Sequence, residues 1–474
     1  MASLRARLMA RLIFHGAAQE VTGSMHLVET RAGLISLDCG LYQGRRSESR
    51  AKNRSFPCDP RDIKAVLLSH AHIDHSGRLP RLVRGGFSGT IHCTSATRDL
   101  AAVLLQDSAH IQEEDAKYLN KKRKRNGEDP IEPFYEPADA TETMRFTSGH
   151  AYDRMFPVLP GVRGMFIEAG HMLGSSGILL EIDEPPGRTV RLFFTGDVGR
   201  WGVPILRDPK AIPPCDYIIS ESTYGGRTSP PVQDMQGRLR EVVNRTVERK
   251  GKLVIPAFSV GRTQTLLYNL NHLFRSGEIK TLPVYVDSPL AINATDVFKL
   301  HPECFDRDAR TFLFEVGHLL SGPNVHFVRE AADSKLINQR RRPCIIIAAS
   351  GMCEAGRILH HLKHNVRHPR NTILIVGYQA AHTLGRRIVE HVDKVKIYGQ
   401  HYPLKAEVVV LNGFSSHADA NELRRHLAPR AADNKACFLV HGELDQSGAL
   451  STSLLEMGFR DVQIPPPGFE FTLA

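Results

Sequence analysis

The sequence predicts an α/β protein of two domains, one inserted into the other. Three observations predict this. Short apolar runs repeatedly end on a single histidine or carboxylate, as strands do that meet along one edge of a sheet. Between about residues 227 and 395, four apolar runs are each followed by a helical pattern, which implies a mainly parallel sheet with right-handed crossovers. The first texture then resumes and runs on to the end of the chain.

The bulk properties fit this plan. At 474 residues the chain exceeds a usual single domain. Hydrophobic residues make up 42% and charged residues 24%, an ordinary globular profile. Lys+Arg 61 against Asp+Glu 51 leaves +10, which favours an anionic partner, nucleic acid first. Eight cysteines are scattered without a C-x-x-C pair. That argues against a disulfide framework or a thiolate zinc site and for a reducing, cytoplasmic location. The apolar run Leu12-Ile13-Phe14 is too short for a signal-peptide core or a membrane span, so no membrane association is expected.

Taken in order, residues 12–16, 25–29 and 33–37 read as three strands joined by glycine-containing turns, with Asp38 ending the third. Ala65-Val66-Leu67-Leu68 reads as a buried strand that leads into Ser69-His70-Ala71-His72-Ile73-Asp74-His75-Ser76-Gly77. Four potential ligands fall within six positions there, and imidazole and carboxylate are what zinc takes when thiolates are absent. Thr90-Ile91-His92-Cys93-Thr94 is a further strand. Residues 95–125 read as a helix whose buried stripe is Leu100, Val103, Leu104, Ala109 and Ile111. Its last five residues, Lys121-Lys122-Arg123-Lys124-Arg125, form the strongest basic block, either a solvated helix end or an RNA-contacting patch. Four later runs lead to His171, Asp197, Glu221 and His441. Together with Asp38 and His70 these are six strand-end positions that can converge although far apart in sequence.

In the middle block the strand-then-helix units begin at Leu253, Val284, Cys344 and Thr372. The histidine-bearing domain is expected to resume with Glu407-Val408-Val409-Val410-Leu411. The expected division is 1–226 for the first part of that domain, 227–394 for the insertion and 395–474 for the return.

The cluster from His70 to His75 reads H-x-H-x-D-H and resembles the metal-binding signature of the metallo-β-lactamase superfamily. The insertion resembles a β-CASP domain, with Pro256-Ala257-Phe258-Ser259-Val260-Gly261-Arg262, Asp287-Ser288-Pro289-Leu290-Ala291 and Ala349-Ser350-Gly351-Met352 at its signature positions. Gly413-Phe414-Ser415-Ser416-His417 and Val440-His441-Gly442-Glu443 match the closing RNA-metabolising segment. Together these motifs resemble the nucleases related to the eukaryotic pre-mRNA 3′-end endonuclease, especially its shorter prokaryotic relatives.

The resemblance implies a metallo-β-lactamase αββα sandwich with an inserted Rossmann-like parallel-sheet β-CASP domain. It implies two zinc ions per chain. His70, His72 and His171 would bind the first; Asp74, His75 and His441 would bind the second; Asp197 would bridge them. Asp38 would orient a ligand histidine. Glu221 and His417 would stand beside the scissile phosphate, His417 as the proton donor. The implied activity is hydrolysis of single-stranded RNA to 3′-hydroxyl and 5′-phosphate ends, by endonucleolytic or 5′-to-3′ attack. Ser350 and Gly351, in a strand–helix turn, and Arg262 are candidate phosphate contacts.

Three other readings compete with this one. A DNA-processing nuclease of the same superfamily usually has valine where His441 stands. A catalytically silent RNA-binding subunit would lack ligands that this chain retains. A small-molecule hydrolase would lack the insertion. His382 stands where relatives carry glycine, and Ala381 replaces their glutamate, so no substrate contact is carried over there; His382 reads as a helix-start residue. The oligomeric state is left open, a homodimer included.

Overall fold

Residues 9–16 alternate half-buried and buried side chains, the period of a strand with one face toward a core. That strand, Arg11–Gly16, belongs to a seven-stranded sheet. Edge to edge the sheet runs Glu470–Thr472, Arg11–Gly16, Met25–Thr30, Gly33–Leu37, Ile63–Leu67, Thr90–Thr94 and Thr147–His150. The computed structural model describes residues 9–44, 46–229, 235–377, 379–380, 382–411 and 416–474. Ala381 and the segment Gly413-Phe414-Ser415 lie outside the described residues.

A second seven-stranded sheet runs Val462–Gln463, Ala436–Val440, Tyr217–Glu221, Arg188–Phe194, Ser176–Glu184, Val162–Glu168 and Phe156–Leu159. The two sheets face each other across one apolar core. Leu12, Phe14, Val28, Ile35 and Leu37 from the first meet Phe166, Ile178, Leu180, Phe194, Ile219 and Phe438 from the second. The outer face of the second sheet is covered by the helices Ala420–Leu427 and Leu444–Glu456, through Leu423, Leu427, Leu450 and Leu454. The helix Ser95–Arg125 packs on Thr90–Thr94 and Thr147–His150 at the far side. This is the αββα sandwich expected from the sequence.

The helix has the expected bounds, but its stripe differs at one end. Leu100, Leu104 and Ala109 are buried and Val103 is half-buried, whereas Leu105, outside the expected stripe, is buried and Ile111 is 57% exposed. The periodicity of the first three turns does not continue, because residues 128–135 cover the helix from there on, Tyr135 packing against Leu105 and Ala109. Asn120 exchanges hydrogen bonds with the backbone of Ile131, and Gln112 accepts from Phe134 N.

The second compact unit comprises 202–207 and 229–416. Its sheet has six strands, all parallel: Val325–Phe327, Val284–Val286, Ile345–Ala348, Leu253–Pro256, Thr372–Ile375 and Glu407–Val410. The four expected strand–helix units are present, with helices Arg262–Arg275, Pro289–Leu300, Ile358–Asn365 and Leu384–Val389. Their strands are apolar throughout because both faces of a parallel sheet are covered.

The division differs from the expected one at two places. Glu407–Val410, expected to open the return to the first unit, pairs instead in parallel with Thr372–Ile375. Three consecutive valines suit either sheet equally, so the sequence does not discriminate. The first unit resumes at His417, not at 395, and 202–207 joins the second unit through Arg207 N to Cys304 O and Asp306 N to Ile205 O. Among the described residues, no helix is long and apolar enough to cross a membrane.

Candidate metal centre

The first unit brings its polar strand ends to one edge. Phe194, Glu221 and Val440 end neighbouring strands whose registers align Phe194 with Ile219 and Glu221 with Val440. Asp197, Glu221 and His441 therefore emerge side by side. On the other sheet Leu37 lies opposite Leu67, which places Asp38 next to Ser69. The short helix Ile73–Ser76 then presents Asp74 and His75. Its approach is tight: a Cβ on Gly40 would lie 1.5 Å from the Asp74 carbonyl oxygen. Asp38 and His441 hold φ near 59° and 50°, a costly conformation for residues other than glycine that turns the chain immediately beyond each strand.

Two donor groups result. His70 Nε2 lies 3.1 Å from His72 Nδ1, which lies 3.2 Å from His171 Nε2. Asp197 Oδ2 is 3.5 Å from His70 Nε2 and 3.6 Å from His171 Nε2. In the second group His75 Nε2 lies 3.2 Å from His441 Nε2, which is 3.6 Å from Asp74 Oδ2. The other oxygen of Asp197, Oδ1, is 3.4 Å from His75 Nε2 and from His441 Nδ1. One carboxylate thus faces both groups, one oxygen to each.

These residues fit zinc. Four ligands about 2.0–2.1 Å from a tetrahedral ion stand roughly 3.3 Å from one another. The ring nitrogens of both groups have that spacing. Asp197 Oδ1 is buried without a hydrogen-bond partner, which is costly for a carboxylate oxygen unless a cation faces it. Burial lowers His70 well below the usual histidine range, aided by the charge of His75, and burial lowers His72 to about 4, so both rings are neutral and offer lone pairs. His75 is opposite. Burial opposes its charge, but Asp197 and Asp38 outweigh that and hold it well above the usual range. The proton they favour is the charge that a bound cation replaces. For Asp74 and Asp197 burial acts upward, yet the surrounding histidines outweigh it and both carboxyls fall below the usual range.

The ring orientations are fixed from behind. Asp38 Oδ2 is 2.7 Å from His75 Nδ1, and Asp38 also accepts from Ser69 N at 2.7 Å and Ser69 Oγ at 2.9 Å. Ser69 Oγ is 3.0 Å from His70 Nδ1, and Thr223 Oγ1 is 3.1 Å from His441 Nδ1. Neither Ser69 nor Thr223 stands out in the sequence; the signal each carries is a hydroxyl directly beside a ligand or two residues past a strand-end carboxylate.

His417 stands at the rim, its side chain 21% exposed, beside His171 and Tyr224. A backbone bridge to Gly199 holds it there. Its Nδ1 is 3.1 Å from Glu221 Oε2 and 3.9 Å from Asp197 Oδ2. Burial opposes protonation, but Glu221 and Asp197 raise the imidazole to about 9. Glu221 is itself anchored by Val198 N.

Ser350, Gly351 and Arg262 belong to the second unit. Ser350 Oγ accepts from Glu354 N and Ala355 N, closing its own turn, and Gly351 backs onto the Phe258 ring. The helix that follows starts only at Ile358, so Ser350 and Gly351 are not at its N-terminus as the strand–helix reading had them. Arg262 is the first residue of Arg262–Arg275. His382 precedes the helix Leu384–Val389 at φ 69°, but the capping side chain is Thr383.

The sequence is 36% identical over 458 residues to ribonuclease TTHA0252 of Thermus thermophilus, covering 94% of this chain and 96% of the relative. The chain belongs to the β-CASP family of metallo-β-lactamase-fold hydrolases. Residues 19–212 of this β-CASP protein match the metallo-beta-lactamase superfamily and 263–388 the Beta-Casp domain. Residues 401–465 match the Zn-dependent metallo-hydrolase RNA specificity domain. An RNase J-like protein of Methanocaldococcus jannaschii is 30% identical, over 93% of this chain and 94% of its own length. Transcription termination factor FttA of Methanosarcina mazei is 32% identical, over 90% of this chain and 66% of its own length. A crystal structure of a protein of unknown function from Enterococcus faecalis superposes with a TM-score of 0.56 at 14% identity, covering 98% of this chain and all of that one, a likeness of fold.

Proposed function

We propose that this β-CASP hydrolase is a zinc-dependent ribonuclease that cuts single-stranded RNA to 3′-hydroxyl and 5′-phosphate ends, in the cytoplasm, with two zinc ions per chain. The observation that carries the reading is Asp197, whose two oxygens each face a separate group of histidine and carboxylate donors. His70, His72 and His171 would hold one ion with Asp197, and Asp74, His75 and His441 the other. When bound, the ions supply Lewis acidity toward phosphate oxygens and lower the pKa of the attacking water. The relatives named as ribonucleases support RNA as substrate.

The remaining chemistry falls to the chain. Cleavage on the 3′ side of a sugar leaves an oxyanion that needs a proton. His417, whose proton Glu221 and Asp197 favour, can supply it at the rim of the site. Glu221 engages Nδ1 and leaves Nε2 as the donor toward the leaving oxygen. Asp38 and Ser69 hold the ligand rings in place before substrate arrives.

The test is incubation of the pure protein with end-labelled single-stranded RNA and, in parallel, single-stranded and duplex DNA. RNA cleavage abolished by a chelator and restored by zinc is expected. Cleavage of DNA in preference to RNA would replace the reading with a DNA-processing nuclease. Binding of RNA without any cleavage would replace it with a silent RNA-binding subunit.

A further inference from the structure

We propose that the C-terminal third of the helix Ser95–Arg125 is a second RNA-binding surface, remote from the metal centre, that holds a single strand by phosphate contacts and base stacking. The proposal deepens the ribonuclease reading and rests on it.

The helix has two opposed faces in this stretch. Gln112, Ala116, Asn120 and Arg123 face inward. Gln112 and Asn120 bond the backbone of the returning segment, and Arg123 donates to Asp129 O and pairs with Glu128 at 2.7 Å. At 3.6 residues per turn, Tyr118, Lys121, Lys122 and Arg125 fall within an arc of about 100° on the opposite side. All four are exposed, Tyr118 by 71%. Among the described residues, Lys121, Lys122, Lys124 and Arg125 make no ion pair. The nearest acids in sequence are Asp115, one turn before Tyr118, and Glu128; Glu114 pairs with Lys117 and Glu128 with Arg123.

The ordinary reason for cations at a helix C-terminus is the macrodipole, which is felt only within the last turn. That accounts for Lys122 to Arg125. It does not account for Lys121, or for a large aromatic ring left bare one turn before Lys121 and Lys122. An exposed ring next to phosphate-binding charges is an arrangement that binds single-stranded nucleic acid.

The opposite end of the same helix supports a loop of the metal centre. Thr94 and Thr97 each donate to Gly174 O at 2.7 Å, in the loop that carries His171. Thirty-one residues at 1.5 Å per residue separate the two ends by about 45 Å. At a stacked spacing of about 3.4 Å this corresponds to on the order of ten nucleotides. A long RNA can reach both places at once; a very short one cannot.

The experiment combines Lys121→Gln, Lys122→Gln and Arg125→Gln in the full chain, with Tyr118→Ala alone as a second variant. Affinity and cleavage are measured for single-stranded RNAs of about 5 and about 30 nucleotides across a salt series, the longer one exceeding the span of the helix. For the long RNA, losing three phosphate contacts should reduce the slope of log affinity against log salt by about 2. Tyr118→Ala should weaken its binding about tenfold with the slope unchanged. Cleavage of the short RNA should equal wild type in both variants. A double Lys121→Arg, Lys122→Arg variant should bind like wild type. Equal slopes and affinities for the long RNA in wild type and triple variant would overturn the proposal and leave the ribonuclease reading standing. Wild-type protein that neither binds nor cuts RNA of either length would overturn both.

Discussion

Replacing His417 by alanine should lower the cleavage rate about 10²- to 10⁴-fold, the usual cost of a lost general acid. Zinc content and RNA affinity should be unchanged, because His417 belongs to neither donor group. On RNA with a 3′-bridging sulfur, whose thiolate leaves without a proton, the defect should largely disappear; an equal defect on both substrates would show a structural role. Glu221→Gln gives a pH readout. The carboxylate of Glu221 raises His417 to about 9, so its neutralisation lowers that value. The acid is then lost at lower pH, and the alkaline limb of the rate profile should move downward in pH. Asp38→Ala removes the partner of His75 Nδ1 at 2.7 Å and should weaken zinc binding about 10- to 100-fold in a chelator competition, with the circular dichroism spectrum retained. At this scale the sequence was highly legible. His70, His72, Asp74 and His75 stand within six positions, and Asp38, His171, Asp197, Glu221 and His441 each end an apolar run. The hydroxyls behind them were not, since Ser69 and Thr223 carry no pattern until the fold sets them against ring nitrogens.

Among the elements, legibility followed burial on both faces. The four strand–helix units of the second unit were readable because parallel strands are continuously apolar. The strand Glu407–Val410 was readable as a strand but not as a member of that sheet, because its valines fit either core and only the ladder to Thr372–Ile375 decides. Ile111 departs from the expected stripe because the first helical period ends where Gln112 and Asn120 take over the contacts with the returning segment. Within the second unit, Asp287 is the buried joint. It pairs with Arg357 and His361 at 2.7 Å each and accepts from Ser334. Burial acts upward on this carboxyl, but His361, Ser334 and Arg357 outweigh it and depress its pKa. A carboxyl depressed on folding stabilises above its unfolded pKa, about 3.9, and that contribution is lost as pH falls through the lower folded value. Asp287→Ala should cost about 3–5 kcal/mol in urea unfolding near neutral pH, and the difference from wild type should shrink at acid pH. A difference independent of pH would show that packing, not charge, is what Asp287 supplies.

For the molecule as a whole, the surplus of ten positive charges and the RNA specificity domain at residues 401–465 favour an anionic polymer as substrate, while the donor groups define the chemistry. We propose that Asp197 joins two zinc sites whose joint occupancy enables RNA hydrolysis. This is tested most directly by removing metal from the full chain, returning zinc in measured steps, and following bound zinc by elemental analysis alongside cleavage of labelled single-stranded RNA. Two zinc ions per chain at saturation are predicted, with cleavage appearing as the second ion binds and both lost in Asp197→Ala. Metal-free protein that cuts RNA at the wild-type rate, or full activity with a single ion bound, would contradict it.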